Sequence, residues 1–164
     1  MATWWGGRVR QFRRFVFGRV TNAERAELLT WLTPAQLALF DAMHRADQRH
    51  GLDVVAALRA DGHRDPDLLL AGLFHDAAKG PTVGLGPRVA WALGQHYGAG
   101  IVSLTRRLPG YGSAFERLRD HAERSAELTL RAGCSPVTAE LIRHQSSPVD
   151  PGAGEALRLA DEAN

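Results

Sequence analysis

One predicted helix constrains this chain more than any other segment, because it is apolar on nearly every side and ends in two ionisable residues. Residues 68–74 read LLLAGLF, His75 and Asp76 follow directly, and Lys79-Gly80-Pro81 comes next. A helix of this kind belongs in a core, where an ionised carboxylate is costly unless it is paired or coordinated. The Gly-Pro pair ends the helix, so Asp76 also lies at the negative end of the helix dipole. The sequence therefore predicts a cation beside Asp76, and a metal ion would meet that need.

The rest of the sequence indicates helices throughout. Four helix starts are recognisable, three of them with proline in the first turn: Thr21, Thr33-Pro34, Asp65-Pro66 and Ser135-Pro136. The helix from Thr33-Pro34 can run on through His50, and the helix from Asp65-Pro66 is predicted to end near Lys79. Alternating or Val/Ile/Thr-rich runs bounded by turns are missing, apart from residues 101–104, which read equally well as helix. We predict an all-α fold.

Length, charge and cysteine content narrow the class of protein. The chain has 164 residues and 45% hydrophobic content, which is enough for one domain with one ordinary core. The formal net charge is +2, yet five arginines precede the first acidic residue, Glu24: Arg8, Arg10, Arg13, Arg14 and Arg19. The single cysteine, Cys134, excludes an internal disulfide and a multi-cysteine zinc site. With no apolar stretch of signal-peptide or membrane-span length at the N-terminus, we expect a cytoplasmic protein.

Few ionisable residues are placed to face the predicted core, and they occur along the chain as His50, His75-Asp76, His121, His144 and Asp161. Val54 and Leu58 lie one and two turns beyond His50 on the same helical face, so this face points to the core. Asp161 stands within the apolar stripe of the last helix, where a surface helix would usually face its acid outward. These residues are the candidate site.

Four of these residues resemble the pattern of the HD-domain metal-dependent phosphohydrolases, which is a His, a His-Asp doublet and a distant Asp, all on helices. The match is His50, His75-Asp76 and Asp161, and His50 lies 25 residues before His75. The resemblance implies that these four residues are the ligands of one metal ion. The segment LLAGLFHDAAK, which ends at Lys79, looks like the Leu-rich HD helix of that family. The resemblance covers residues 46–164 and implies an HD-domain helical bundle, with residues 1–45 as an N-terminal helical extension packed on its core.

A subgroup of the same family has a larger site, in which two extra histidines from later helices help to hold a second metal ion. His121 and His144 lie where those histidines would fall. In that subgroup a second histidine often comes directly after the one that matches His144, and in this chain that position is occupied by Gln145. The resemblance therefore implies one metal ion, or two if both histidines bind. Otherwise His121 and His144 would donate protons, contact substrate, or simply bond to backbone or solvent.

The resemblance also implies a chemistry. Imidazoles and carboxylates without thiolates suit a divalent ion such as manganese, iron, cobalt, nickel or magnesium. The expected substrate is a small phosphorylated compound, a nucleotide or another phosphate ester, hydrolysed by metal-activated water. Asp76 and Lys79 would be the catalytic residues, Lys79 would also bind phosphate, and Arg49 would contact substrate unless it is only solvated. The alternative is a catalytically weak or inactive HD domain that serves as a nucleotide- or phosphate-binding regulatory module.

The sequence pattern of the N-terminal segment has two interpretations. Val9, Phe12, Val16 and Val20 recur at helical spacing among arginines. This pattern favours a helix that covers the core with its Phe/Val face and leaves the arginines in water. The alternative is a basic amphipathic helix through residues 1–20 that contacts an anionic membrane surface or another acidic partner. Nucleic-acid binding is not indicated, because no recognised binding motif accompanies the arginines.

Overall fold

The structure, a computed structural model, describes residues 18–80 and 83–164, and every regular element in these ranges is a helix. The helices are α1 Asn22–Trp31, α2 Pro34–Ala42, α3 Arg45–Ala60, α4 Pro66–Phe74, α5 Leu85–Tyr97, α6 Gly100–Thr105, α7 Tyr111–Arg131, α8 Pro136–Arg143 and α9 Ala153–Ala163. Because these ranges contain no strand, the predicted all-α fold is confirmed. None of these helices is both long and apolar enough to cross a membrane.

The four helix starts that the sequence predicts are confirmed, because a side chain caps each of them. The Thr21 side chain accepts the backbone N–H of Glu24, and the Glu24 carboxylate accepts the backbone N–H of Thr21 at 2.8 Å, which forms a capping box. Asp65 accepts a backbone N–H from the first turn of α4, and Ser135 does the same for α8. Both precede a proline in the first turn.

The predicted continuation of the Pro34 helix through His50 is wrong. Helix α2 ends at Ala42, and a new helix, α3, begins three residues later at Arg45. His44 causes the new start, because its Nδ1 accepts the backbone N–H of Ala46 at 3.1 Å and caps α3. His50 therefore belongs to the second turn of a separate helix, which can take its own direction.

The predicted end of the apolar helix near Lys79 is also wrong. Helix α4 ends at Phe74, and the chain continues in tight turns. The backbone N–H of Ala77 donates to the carbonyl of Phe74 at 2.9 Å, and that of Lys79 donates to the carbonyl of Asp76 at 3.1 Å. His75 and Asp76 therefore lie in the turns after the helix, where their side chains can leave the helical faces.

Seven of the helices share the main hydrophobic core. Its buried members include Leu28, Phe40, Val54, Leu58, Phe74, Ala126, Ile142 and Leu157. Leu28 and Phe40 come from α1 and α2, so residues 18–45 pack on the same core as the later helices. The division of the chain at residue 45 stays a prediction, and the predicted helix through Val9, Phe12 and Val16 lies outside the described residues.

A second, smaller apolar cluster lies between α5 and the first half of α7. It consists of Val83, Ala90, Ala114, Phe115 and Leu118, with Trp91, Val102 and Tyr111 packed against it. Helix α7 also supplies Ala126 to the main core. The middle of α7, which carries His121, therefore lies between the two clusters.

Candidate metal centre

Two glycines allow α3 and α4 to cross closely, and this crossing brings His50 against His75. A Cβ atom on Gly51 would lie 2.4 Å from the carbonyl oxygen of Leu73. On the facing helix, a Cβ atom on Gly72 would meet a leucine methyl of α3 at 2.9 Å. A larger residue at Gly51 would force the helices apart, because the atom that it meets belongs to the backbone. The resulting distance between the His50 and His75 ring centroids is 5.0 Å.

The imidazole of His75 is buried, with 1% of the residue exposed, and one of its nitrogens has no hydrogen-bond partner. Nδ1–H donates to the carbonyl oxygen of Gly72 at 3.0 Å, which turns Nε2 toward two carboxylates. Nε2 lies 3.6 Å from Oδ2 of Asp76 and 3.4 Å from Oδ1 of Asp161. Burial lowers the pKa of His75, but the charges of Asp76 and Asp161 outweigh burial and raise the pKa to about 9. Positive charge is therefore stabilised at Nε2.

The carboxylate of Asp76 is also buried, and its two oxygens have different surroundings. Lys79 Nζ donates to Oδ2, whereas Oδ1 has no hydrogen-bond partner among the described residues. Burial raises the pKa of Asp76, but the charges of Lys79 and then His75 lower it well below its usual range. Burial likewise lowers the pKa of Lys79, and the charge of Asp76 raises it above its usual value. Lys79 thus supplies one cation beside Asp76, and Oδ1 still lacks a partner.

His50 and Asp161 close the other side of the cluster. Nε2–H of His50 donates to Oδ1 of Asp161 at 2.8 Å and so joins α3 to α9. Burial raises the pKa of Asp161, but the charge of His75 and the bond from His50 lower it well below its usual range. The Asp161 side chain is 39% exposed, so this edge of the cluster is open to solvent.

The donor atoms of this cluster fit a divalent metal ion. His50, His75 and Asp76 each offer one ligand atom, and these atoms lie within 4.8 Å of one another. Two buried polar atoms, Nε2 of His75 and Oδ1 of Asp76, have no hydrogen-bond partner in the described part of the chain, and leaving such atoms unsatisfied costs about 1–3 kcal/mol each. Because the pKa of His75 is raised to about 9, Nε2 carries a proton at pH 7 when no metal is bound, and a metal ion would replace that proton. A cation between them would satisfy both. The His-His-Asp group can therefore hold a metal ion, while the identity of the metal and the number of ions stay predictions.

Helix α7 brings His121 to the same cluster. Nδ1–H of His121 donates to the carbonyl oxygen of Leu118 at 2.6 Å, and Nε2 lies 3.5 Å from Oδ1 of Asp76. Burial lowers the pKa of His121, and the charge of Lys79 lowers it further, which favours the neutral imidazole. Nε2 therefore presents a lone pair to the unpaired oxygen of Asp76, which is an arrangement that a cation or a proton would stabilise.

His144 is not brought to this cluster. It is the C-cap of α8, its side chain is 45% exposed, and its Nε2 lies 3.5 Å from a carboxylate oxygen of Glu140. The helix ends here, and the next residue, Gln145, is the one whose side chain turns inward and is buried. The predicted second set of ligands is therefore reduced, in this structure, to His121.

The turn that carries the His-Asp doublet is held by hydrogen bonds from two other parts of the chain. The side-chain amide of Gln145 donates to the carbonyl oxygen of His75 at 3.3 Å. The hydroxyl oxygen of Ser125, on α7, accepts the backbone N–H of Ala78 at 3.0 Å. Gly80 ends the turn with φ +77°, a conformation that favours glycine. These contacts hold the doublet in place from α7, from the end of α8 and from its own backbone.

Arg49 precedes His50 but forms contacts elsewhere. Its guanidinium pairs with Glu24 at 2.6 Å and with Asp53 at 2.9 Å. The pair with Glu24 joins α1 to α3, and the pair with Asp53 lies within α3. The predicted contact of Arg49 with substrate gains no support, because none of its contacts within the described ranges is with the cluster.

A buried ion pair beside the cluster was missed by the sequence analysis. Arg88, on α5, donates two hydrogen bonds to the Asp47 carboxylate, at 2.6 and 2.7 Å. The charge of Asp47 also helps to raise the pKa of Lys79, so the pair lies near the site. The burial of Asp47 could have been predicted, because Asp47 lies one turn before Gly51 on the buried face of α3. Nothing in the local sequence marks Arg88 as its partner.

No family model, curated protein or solved structure matches this chain. The chain is all-α in its described ranges, and His50, His75 and Asp76 form a cluster able to hold a metal ion, with other groups at its border: Asp161, His121 and Lys79.

Proposed function

We propose that this chain is a metal-dependent phosphohydrolase of the HD-domain type, acting on a nucleotide or another phosphate ester. The observation that carries the proposal is the pair of buried polar atoms without a hydrogen-bond partner, Nε2 of His75 and Oδ1 of Asp76, next to a lysine. The resemblance to the HD pattern supports it, because the four matching residues approach one another from three parts of the chain. His50 and Asp161 are bonded to each other beside the doublet.

His50, His75 and Asp76 would hold the ion, with Asp161 at the open edge. A bound divalent ion supplies Lewis acidity, which lowers the pKa of water toward about 7 and offsets charge on the phosphoryl group. The bond from Nδ1 of His75 to the Gly72 carbonyl fixes the tautomer that leaves Nε2 for the ion. Open solvent access at Asp161 gives substrate and water a way in.

Lys79 would bind the phosphate, and His121 would transfer the proton. The Lys79 ammonium has three N–H donors, of which one is bonded to Asp76, and its side chain is 23% exposed. The remaining donors can bind a phosphate oxygen at the edge of the cluster. His121 has a neutral Nε2 beside Asp76, so it can accept a proton from water and return it to the leaving group.

The ion pair of Lys79 with Asp76 favours a second candidate function. A lysine that already neutralises the buried carboxylate can hold a phosphate without assisting its transfer. The chain would then be a nucleotide- or phosphate-binding regulatory module with little or no hydrolytic activity.

Elemental analysis of the purified protein, combined with a hydrolysis screen over nucleotides and simple phosphate esters, tests the proposal. We expect a divalent metal and hydrolysis of at least one compound in the wild type, and loss of both in Asp76→Ala. The matched control is Asp61→Ala, because Asp61 is an exposed aspartate at the end of α3. If metal-loaded wild type hydrolyses none of the compounds yet binds a nucleotide in a Lys79-dependent way, the hydrolase proposal fails and the regulatory one stands.

A further inference from the structure

We propose that Arg117 acts with Lys79 as an anion-binding pair that selects a phosphoryl group carrying two negative charges. This inference rests on the proposed function and names its substrate class, which is a phosphomonoester rather than a phosphodiester. Arg117 is a specificity-determining residue in this account. It was not among the candidate site residues of the sequence.

The position of Arg117 carries the first step. It lies on α7, four residues before His121, and residues spaced by four lie on the same face of a helix. That face reaches the cluster, because Nε2 of His121 lies 3.5 Å from Asp76. A Cβ atom on Gly80 would lie 2.9 Å from Nη1 of Arg117. The guanidinium therefore rests against the backbone of the residue that follows Lys79.

Arg117 has no acidic partner in the part of the chain that the structure describes, residues 18–80 and 83–164. Other arginines of α7 are paired on the helix surface: Arg119 and Arg124 with Asp120, and Arg131 with Glu127. An arginine presents five N–H donors in a planar fork that suits phosphate oxygens. Arg117 thus holds this fork at the edge of the cluster with its donors available.

The charges around the cluster supply the third step. The buried pair of Asp47 and Arg88 is neutral as a unit. The two carboxylates of the cluster, Asp76 and Asp161, carry the two negative charges that a divalent ion would balance. Lys79 and Arg117 then remain as two positive charges at one edge. A phosphomonoester carries about −1.5 to −2 at pH 7, which matches this excess better than the single charge of a diester.

Calorimetry with two ligands that carry a phosphorus–carbon bond to a phenyl group tests the inference. Phenylphosphonate and its monomethyl ester differ in one negative charge at pH 8, and neither has a phosphate ester bond to the phenyl group. With the full chain loaded with Mn²⁺, we expect phenylphosphonate to bind about tenfold more tightly than the monomethyl ester or better. Arg117→Gln should remove most of this preference, and Arg117→Lys should keep part of it, because lysine retains the charge but not the fork.

Arg119→Gln is the matched control, since it removes the same charge two residues further along α7, where the side chain is 65% exposed and bonded to Asp120. It should keep the wild-type preference, and all three variants should bind Mn²⁺ like the wild type. Equal affinity of the wild type for the two ligands, or an unchanged preference in Arg117→Gln, would overturn the pair. An Arg117-dependent preference in a chain that hydrolyses no phosphate ester would instead reject the proposed function and leave the binding pair standing.

Discussion

Replacing Gly51 with alanine tests the close crossing of α3 and α4 on which the cluster depends. The added Cβ would lie 2.4 Å from the carbonyl oxygen of Leu73 and 3.1 Å from its carbonyl carbon, and backbone atoms cannot swing aside. Even close carbon–oxygen contacts are about 3.3 Å or longer, so the helices must separate locally. Overpacking of this kind costs about 1–3 kcal/mol, while alanine in a helix gains at most about 1 kcal/mol over glycine. Subtracting that gain, we expect a net loss of up to about 2 kcal/mol in the free energy of unfolding.

Gly112→Ala is the matched control, because the atom nearest to a Cβ on this helical glycine is 3.9 Å away. It should be neutral or stabilising, by at most about 1 kcal/mol. Urea denaturation of metal-free protein measures the difference between the variants, and calorimetry with Mn²⁺ adds a functional readout. Because Leu73 lies two residues before His75, its displacement should also weaken metal binding in Gly51→Ala alone. If Gly51→Ala is as stable as Gly112→Ala, the glycine crossing does not have the role assigned to it.

The remaining predictions concern protons, ligands and metal stoichiometry. Nearby carboxylates raise the pKa of His75 to about 9, so below pH 9 a metal ion must displace a proton from His75. The Mn²⁺ affinity measured by calorimetry should therefore rise by about tenfold per pH unit until the pH reaches about 9. An affinity that does not change with pH would contradict this prediction. Asp76→Ala should lose metal and hydrolysis together, whereas Lys79→Ala should keep the metal and lower kcat/KM on the order of 10²-fold; a parallel loss in both variants, measured by metal content and steady-state kinetics, would count against separate roles. By elemental analysis, His144→Ala should leave the metal stoichiometry at the wild-type value, and a second ion, if one is bound, should be lost in His121→Ala; the reverse pattern would show that the α8 terminus binds metal.

Local signals made the helices predictable. Thr21, Asp65 and Ser135 cap the helices that the sequence assigns to them, because a cap needs only residues within one turn of it. The break before α3 was not predicted, because it depends on the His44 ring acting as a cap, and histidine is not among the residues that usually do so. The early end of α4 was not predicted either, because its apolar pattern continues into the turns that follow the helix.

The candidate site was predictable where ionisable residues stand in apolar sequence surroundings. His75, Asp76 and Asp161 stood out in this way, and the structure brings them together. The inward turn of Gln145 depends on the geometry at the end of α8, and the spacing of His144 carries no information on it. The contact of Arg117 with Gly80 depends on how α7 packs, which no local pattern encodes.

The position of a bound metal ion tests the central claim most directly. Crystals of the full chain grown with Mn²⁺, with anomalous diffraction measured near the manganese edge, would give that position. We predict a main anomalous peak within roughly 2.0 to 2.4 Å of one ligand atom each from His50, His75 and Asp76. A map with no peak among these three residues, while Asp76 stays bonded to Lys79, would contradict the account.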